Sequence, residues 1–93
     1  MNLDEVSYDS AERALLSKIG EYHEMKELAM RELLPHHICN YLYELAQEFN
    51  RFYEKSRVIG DAREEIRVDL VRLYRDTLAS GLATLGIAAP DKL

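Results

Sequence analysis

Ala46, Asn50, Tyr53 and Arg57 recur at steps of three and four residues. On a helix turning about 100° per residue they fall in a single strip. A small residue, an amide, an aromatic with a polar tip and a cation are the groups that dock a nucleic-acid base and its phosphate. Stacking a base on an aromatic ring contributes roughly 1–3 kcal/mol, and an arginine supplies the backbone contact. The plainer alternative is a Tyr53 that flanks the core with its hydroxyl in water.

Other reactive side chains do not assemble into a catalytic or metal-binding pattern. His36 and His37 are adjacent, so on a helix they leave the axis about 100° apart and do not chelate one ion together. Cys39 stands alone, which rules out zinc-type spacing and an internal disulfide, and a lone helical Cys is expected to be buried. Glu44 and Glu48 are one turn apart and read as a solvated face rather than a hydrolytic pair. No glycine-rich phosphate loop occurs. The sequence therefore offers catalytic residues: none; metal ligands: none.

The strip needs a helix to carry it, and Pro35–Lys55 provides one. Ile38, Tyr41, Leu42, Leu45, Phe49 and Phe52 follow the helical period, with Pro35 suited to the first helical position. Asp9 or Ser10 caps an earlier helix, with Glu12 three residues beyond Asp9 as in a capping box. Ala11, Leu15, Leu16 and Ile19 form its apolar stripe, and Gly20 reads as its stop. A second helix carries Met25, Leu28 and Ala29, with Glu27 and Arg31 as an i,i+4 pair. The chain is expected to turn at Leu33–Leu34, ahead of Pro35. Ser56–Ala62 is a connection whose Val58 and Ile59 are expected to plug into the core. The last helix follows Ile66, Leu70, Leu73, Thr77, Gly81 and Leu85, with Tyr74 alongside, and Gly86 at its end. Gly81 inside that stripe marks a close helix–helix approach.

The fold class is thus all-α: an antiparallel bundle of about four helices, two of them long, with a short extended C-terminal tail. The helices are predicted near residues 10–19, 22–33, 35–55 and 63–86. Leu42, Leu45, Phe49, Ile66, Leu70, Leu73 and Leu85 are expected in the core. Residues 1–9 read as a lead-in and 10–93 as one domain.

Ninety-three residues, nearly half of them apolar, suffice for one small core. No apolar run is long enough for a membrane span and no leader pattern is present, so a cytoplasmic location and no membrane partner are expected. Seventeen acidic against twelve basic side chains give a net charge of −5. A module that holds nucleic acid by itself carries a basic patch. An RNA role here is that of a subsidiary reader attached to something larger, whose local affinity adds through effective concentration.

The blocks just described resemble a known family. Pro35, His36, Tyr41-Leu42, Leu45-Ala46, Phe49-Asn50 and Phe52-Tyr53 match the run P-H-x-x-x-x-YL-x-x-LA-x-x-FN-x-FY of the C-terminal DALR anticodon-binding domain of arginyl-tRNA synthetases. Arg67-Val68-Asp69-Leu70, Gly81-Leu82, Leu85-Gly86-Ile87 and the closing Pro90-Asp91-Lys92-Leu93 resemble its second block. Val68 stands where the family has Leu, and Leu93 where it has Met. DALR domains of cysteinyl- and glycyl-tRNA synthetases are related, but this combination favours arginine.

The resemblance implies a class I ligase that joins arginine to its tRNA with ATP and magnesium, both used by a catalytic domain of the same parent chain. It implies that this domain docks the anticodon stem-loop of arginine tRNA and reads the middle cytosine, with Tyr53 and Leu93 lining the pocket. No HIGH-like or KMSK-like signature is present, so this stretch alone is expected to be catalytically inert and to hold no cofactor. For Leu93 to join Tyr53, the tail has to fold back to within about 12 Å of it, and an extended seven-residue tail reaches only about 23–25 Å. The rival reading is a helical protein-interaction or adaptor module that presents Tyr43 and exposed leucines to a partner helix.

Overall fold

The computed structural model describes residues 8–32 and 35–88. Four helices follow one another: α1 (Ser10–Gly20), α2 (Tyr22–Glu32), α3 (Pro35–Lys55) and α4 (Glu64–Ala88). No strand occurs among the described residues, and the all-α expectation holds, with α4 running two residues past Gly86. The expected turn at Leu33–Leu34 and the tail, Leu93 included, lie outside the described residues. No described helix is long and apolar enough to cross a membrane.

Asp9 caps α1 as the sequence indicates, accepting from the Glu12 amide while the Glu12 carboxylate accepts from the Asp9 amide. Gly20, by contrast, does not stop the chain in a left-handed conformation; the single positive-φ glycine among the described residues is Gly60. The break falls on Glu21 alone, whose amide still reaches the Lys18 carbonyl, while Met25 reaches back to the Glu21 carbonyl. Backbone hydrogen bonding carries across the joint, so α1 and α2 form one bent column. Three columns result instead of four separate helices. Glu27 is paired with His23 across 3.1 Å, one turn before it, where the sequence suggested Arg31.

α3 is the central column. Ile38, Tyr41, Leu42, Leu45 and Phe52 are buried along one face. α4 runs antiparallel to it, since Gly81 lies against Leu42 and Tyr74 against Phe49. The bent column covers the other flank: Lys18 meets Glu44 at 2.6 Å, and the Tyr41 hydroxyl donates to the Lys18 carbonyl. Burial raises the Tyr41 phenol well above its ordinary value, with Glu21 and Tyr22 adding to it. Tyr22 of α2 shares hydrogen bonds with Ser80 and Thr84 of α4. Of the seven residues expected in the core, Leu42, Leu45 and Leu70 are buried, while Phe49, Ile66, Leu73 and Leu85 are half-buried. A bundle of three columns leaves part of each stripe at the seam between helices.

Two glycines test this packing. A Cβ on Gly81 would stand 2.5 Å from Leu42 Cδ2 and 3.3 Å from Leu42 Cγ, whereas one on Gly20 meets nothing within 4 Å. Gly20→Ala should therefore raise stability by roughly 0.5–1 kcal/mol through helix propensity alone. Gly81→Val should lower it by about 1–3 kcal/mol by forcing α3 and α4 apart. Urea unfolding measures both, and a stabilised Gly81→Val protein would disprove the close approach.

Candidate nucleic-acid interface

The α3 face turned away from the bent column carries Ala46, Asn50 and Tyr53. Ala46 is half-buried, Asn50 is exposed, and Tyr53 keeps 63 % of its surface exposed. Tyr43 and Cys39, on the same polar side of α3, are exposed too. Cys39 thus departs from the expected burial, because position 39 falls outside the stripe that faces the other helices. Tyr53 projects into solvent yet does not stand alone. Its ring stacks on Phe49, with centroids 5.8 Å apart and planes 28° from parallel. Phe49 in turn lies face to face with Tyr74 of α4 at 4.0 Å and 6°. Burial raises the Tyr74 phenol above its ordinary value.

Arg57 is placed differently from the other strip residues. α3 ends at Lys55, so Arg57 leaves the helical register and the strip closes at Tyr53. Its Nε donates to the Ile59 carbonyl at 3.0 Å, and its guanidinium lies over Gly60, 3.2 Å from where a Cβ would sit. Gly60 at φ 85° makes that turn possible. The same turn sends Ile59 outward, 68 % exposed, while Val58 packs on the core; of the two residues expected to plug inward, only Val58 does. Arg57 remains exposed at the end of the strip, as a loop cation.

The connection that holds Arg57 is anchored from below by a buried ion cluster. Glu12 is fully buried, and its carboxylate accepts from Arg63 Nε and Arg67 Nε, each at 2.8 Å. Arg67 also reaches Asp9 Oδ2 at 3.0 Å and donates to the Arg57 carbonyl at 2.7 Å. Burial alone would raise the Glu12 carboxyl. Hydrogen bonds from Arg63, Arg67 and the Asp9 amide overcome that and hold it at about 2. Glu12 reads in the sequence as a capping residue only, because its partners stand 51 and 55 positions away.

His36 and His37 do not diverge as a bare helical wheel suggests; their rings meet with centroids 4.2 Å apart. No group of three or more His, Cys, Asp or Glu among the described residues could hold a metal ion. A cavity of about 240 Å³ lies between α1 and α3, lined by Ser10, Ala11, Ala14, Glu48, Arg51, Phe52 and Lys55. None of the strip residues borders it.

The protein-family model described as the DALR anticodon binding domain matches residues 2–93. An arginine–tRNA ligase of Paraburkholderia phymatum is 43% identical over 82 residues, which are 86% of this chain and 14% of that protein. One from Bordetella pertussis is 39% identical over 85 residues, covering 89% of this chain and 15% of its own length. A third, from Burkholderia mallei, is 44% identical over 82 residues, again 86% and 14%. The chain spans about a seventh of the length of these relatives. No solved structure matches.

Proposed function

The chain belongs to the DALR anticodon binding domain family, and we propose that it reads the anticodon loop of arginine tRNA for a larger arginine–tRNA ligase. Residues 10–93 act as the reading module, working in the cytoplasm. Aminoacylation, with its ATP and magnesium, takes place on the catalytic domain of the same parent chain. The observation that carries this reading is Tyr53, an aromatic ring held by stacking on α3 yet open to solvent. An exposed tyrosine in that state offers a platform on which an unstacked loop base can rest.

Asn50 lies one turn before Tyr53 on the same strip. Its amide has one acceptor and two donors, which complement the amino donor and ring acceptors of a cytosine edge. We assign the middle anticodon cytosine to this pair. Ala46 leaves room beside the base, and Arg57 meets a neighbouring phosphate from the loop. Leu93, the other residue that the resemblance assigns to the pocket, lies outside the described residues.

In the intact ligase, Tyr53→Ala should lower kcat/KM for tRNA by about 5–150-fold, the equivalent of 1–3 kcal/mol of stacking. The KM values for arginine and ATP, measured at saturating tRNA, should stay unchanged. Unaltered charging of tRNA by the Tyr53→Ala enzyme would remove Tyr53 from the site. Equal use of tRNAs carrying cytosine or uracil at the middle position would remove the base assignment.

A further inference from the structure

Three rings connect the interior of the α3–α4 seam to the exposed strip. Tyr74 is half-buried on α4 and lies flat against Phe49, and Phe49 supports Tyr53. Phe49 and Tyr53 belong to the same helix, one turn apart. Tyr74 comes from the antiparallel neighbour. Its contact therefore ties the orientation of the α3 rings to the α4 backbone.

A solvent-exposed tyrosine on a helix ordinarily samples several rotamers, and binding a base to it costs the freedom lost on fixing one. A ring whose underside is already occupied has fewer orientations to lose. The near-parallel planes of Tyr74 and Phe49, 6° apart, hold Phe49 by face contact instead of by bulk alone. Phe49 then limits the positions open to Tyr53.

We infer that Tyr74 is a positioning residue for RNA recognition: through Phe49 it presets the ring of Tyr53 so that a loop base adds to a stack already formed. This inference rests on the reading of Tyr53 as the base platform, and extends it to a residue on another helix that touches no RNA. The ring face matters and the phenol oxygen does not. An aromatic pair contributes about 0.5–1.5 kcal/mol beyond its buried area, which corresponds to roughly a 2- to 13-fold change in affinity.

The test is a mutant cycle in the intact ligase, read as KM for tRNA and kcat separately. Tyr74→Leu keeps an apolar side chain but removes the ring face; it should raise KM for tRNA by about 3–10-fold and leave kcat unchanged. Tyr74→Phe should restore the original KM. In a Tyr53→Ala background, Tyr74→Leu should add no further loss, because its effect passes through Tyr53. A Tyr74→Leu enzyme with normal KM, while Tyr53→Ala is impaired, overturns the inference and leaves the platform reading intact. Losses that add in the double variant also overturn it, since Tyr74 then acts by another route. A Tyr53→Ala enzyme that charges normally overturns the platform reading, and the inference with it.

Discussion

Replacing Glu12 with Ala is expected to cost about 3–5 kcal/mol, because two arginines then lose their common carboxylate at the base of the bundle. Arg67 is itself buried, so its charge cannot simply turn to water, and Arg63 is half-buried. A 93-residue domain has total stability on the order of 5–15 kcal/mol, so the loss is a large fraction of the whole. Glu12→Gln keeps the volume and one acceptor, and it isolates the charge. Its effect has a defined pH dependence. The folded Glu12 carboxyl is depressed from 4.5 to about 2. The stabilisation it contributes is therefore fully present above pH 4.5 and fades as pH falls toward 2. That interval of 2.5 pH units corresponds to about 3 kcal/mol. Urea unfolding as a function of pH should show the wild-type chain and Glu12→Gln far apart at pH 7 and converging near pH 2. Parallel curves across that range would mean that Glu12 is not the carboxylate responsible.

The two fates of Glu12 show where sequence reading reaches and where it stops. Its place in the capping box is set by residues within one turn and was legible as a local pattern. Its burial against Arg63 and Arg67 is decided by how α1 meets the start of α4, and the residues joined have no periodic relation. The same division runs through the strip. Ala46, Asn50 and Tyr53 share a face because helical geometry places them there, and the apolar stripe of α3 fixes which face is outermost. Arg57 depends on where α3 ends and on the left-handed turn at Gly60, and a helical wheel extended past Lys55 misplaces it. Gly81 was readable as a close approach because a glycine inside a long apolar stripe needs a packing reason. Gly20 carried the same residue type but no such need: α1 does end there, without a left-handed glycine, and turn bonds through Glu21 carry the chain into α2. Tyr74 sat beside the stripe of α4 with no sign that its ring would meet Phe49. Pairings between helices depend on crossing geometry, which local spacing does not encode.

The second large effect belongs to Phe52, which seats the C-terminal end of α3 in the core. Its side chain is fully buried beside Phe49, with ring centroids 6.2 Å apart, one residue before Tyr53. Phe52→Ala should destabilise the domain by about 3–5 kcal/mol, from lost transfer energy together with the space left behind. Phe52 also lines the cavity between α1 and α3, so the vacated volume joins an opening that already exists. Water can enter from that side, which places the expected cost at the lower end of the range. Phe52→Leu, which retains most of the apolar volume, should lose less than half as much. The consequence for recognition follows from position. Without Phe52 the last turn of α3 keeps Phe49 and, just past its end, Val58 and the Arg67 bond to the Arg57 carbonyl, but loses its one fully buried ring, and the backbone under Tyr53 loosens. Partial unfolding of that turn should appear as faster amide exchange over residues 50–56 than over the Ile38–Leu45 segment. On the proposed reading of Tyr53 as a base platform, tRNA recognition should then weaken under conditions where the domain as a whole remains folded. Uniform exchange along α3 in Phe52→Ala would show that the helix is held as one unit, and that Phe52 contributes only to global stability.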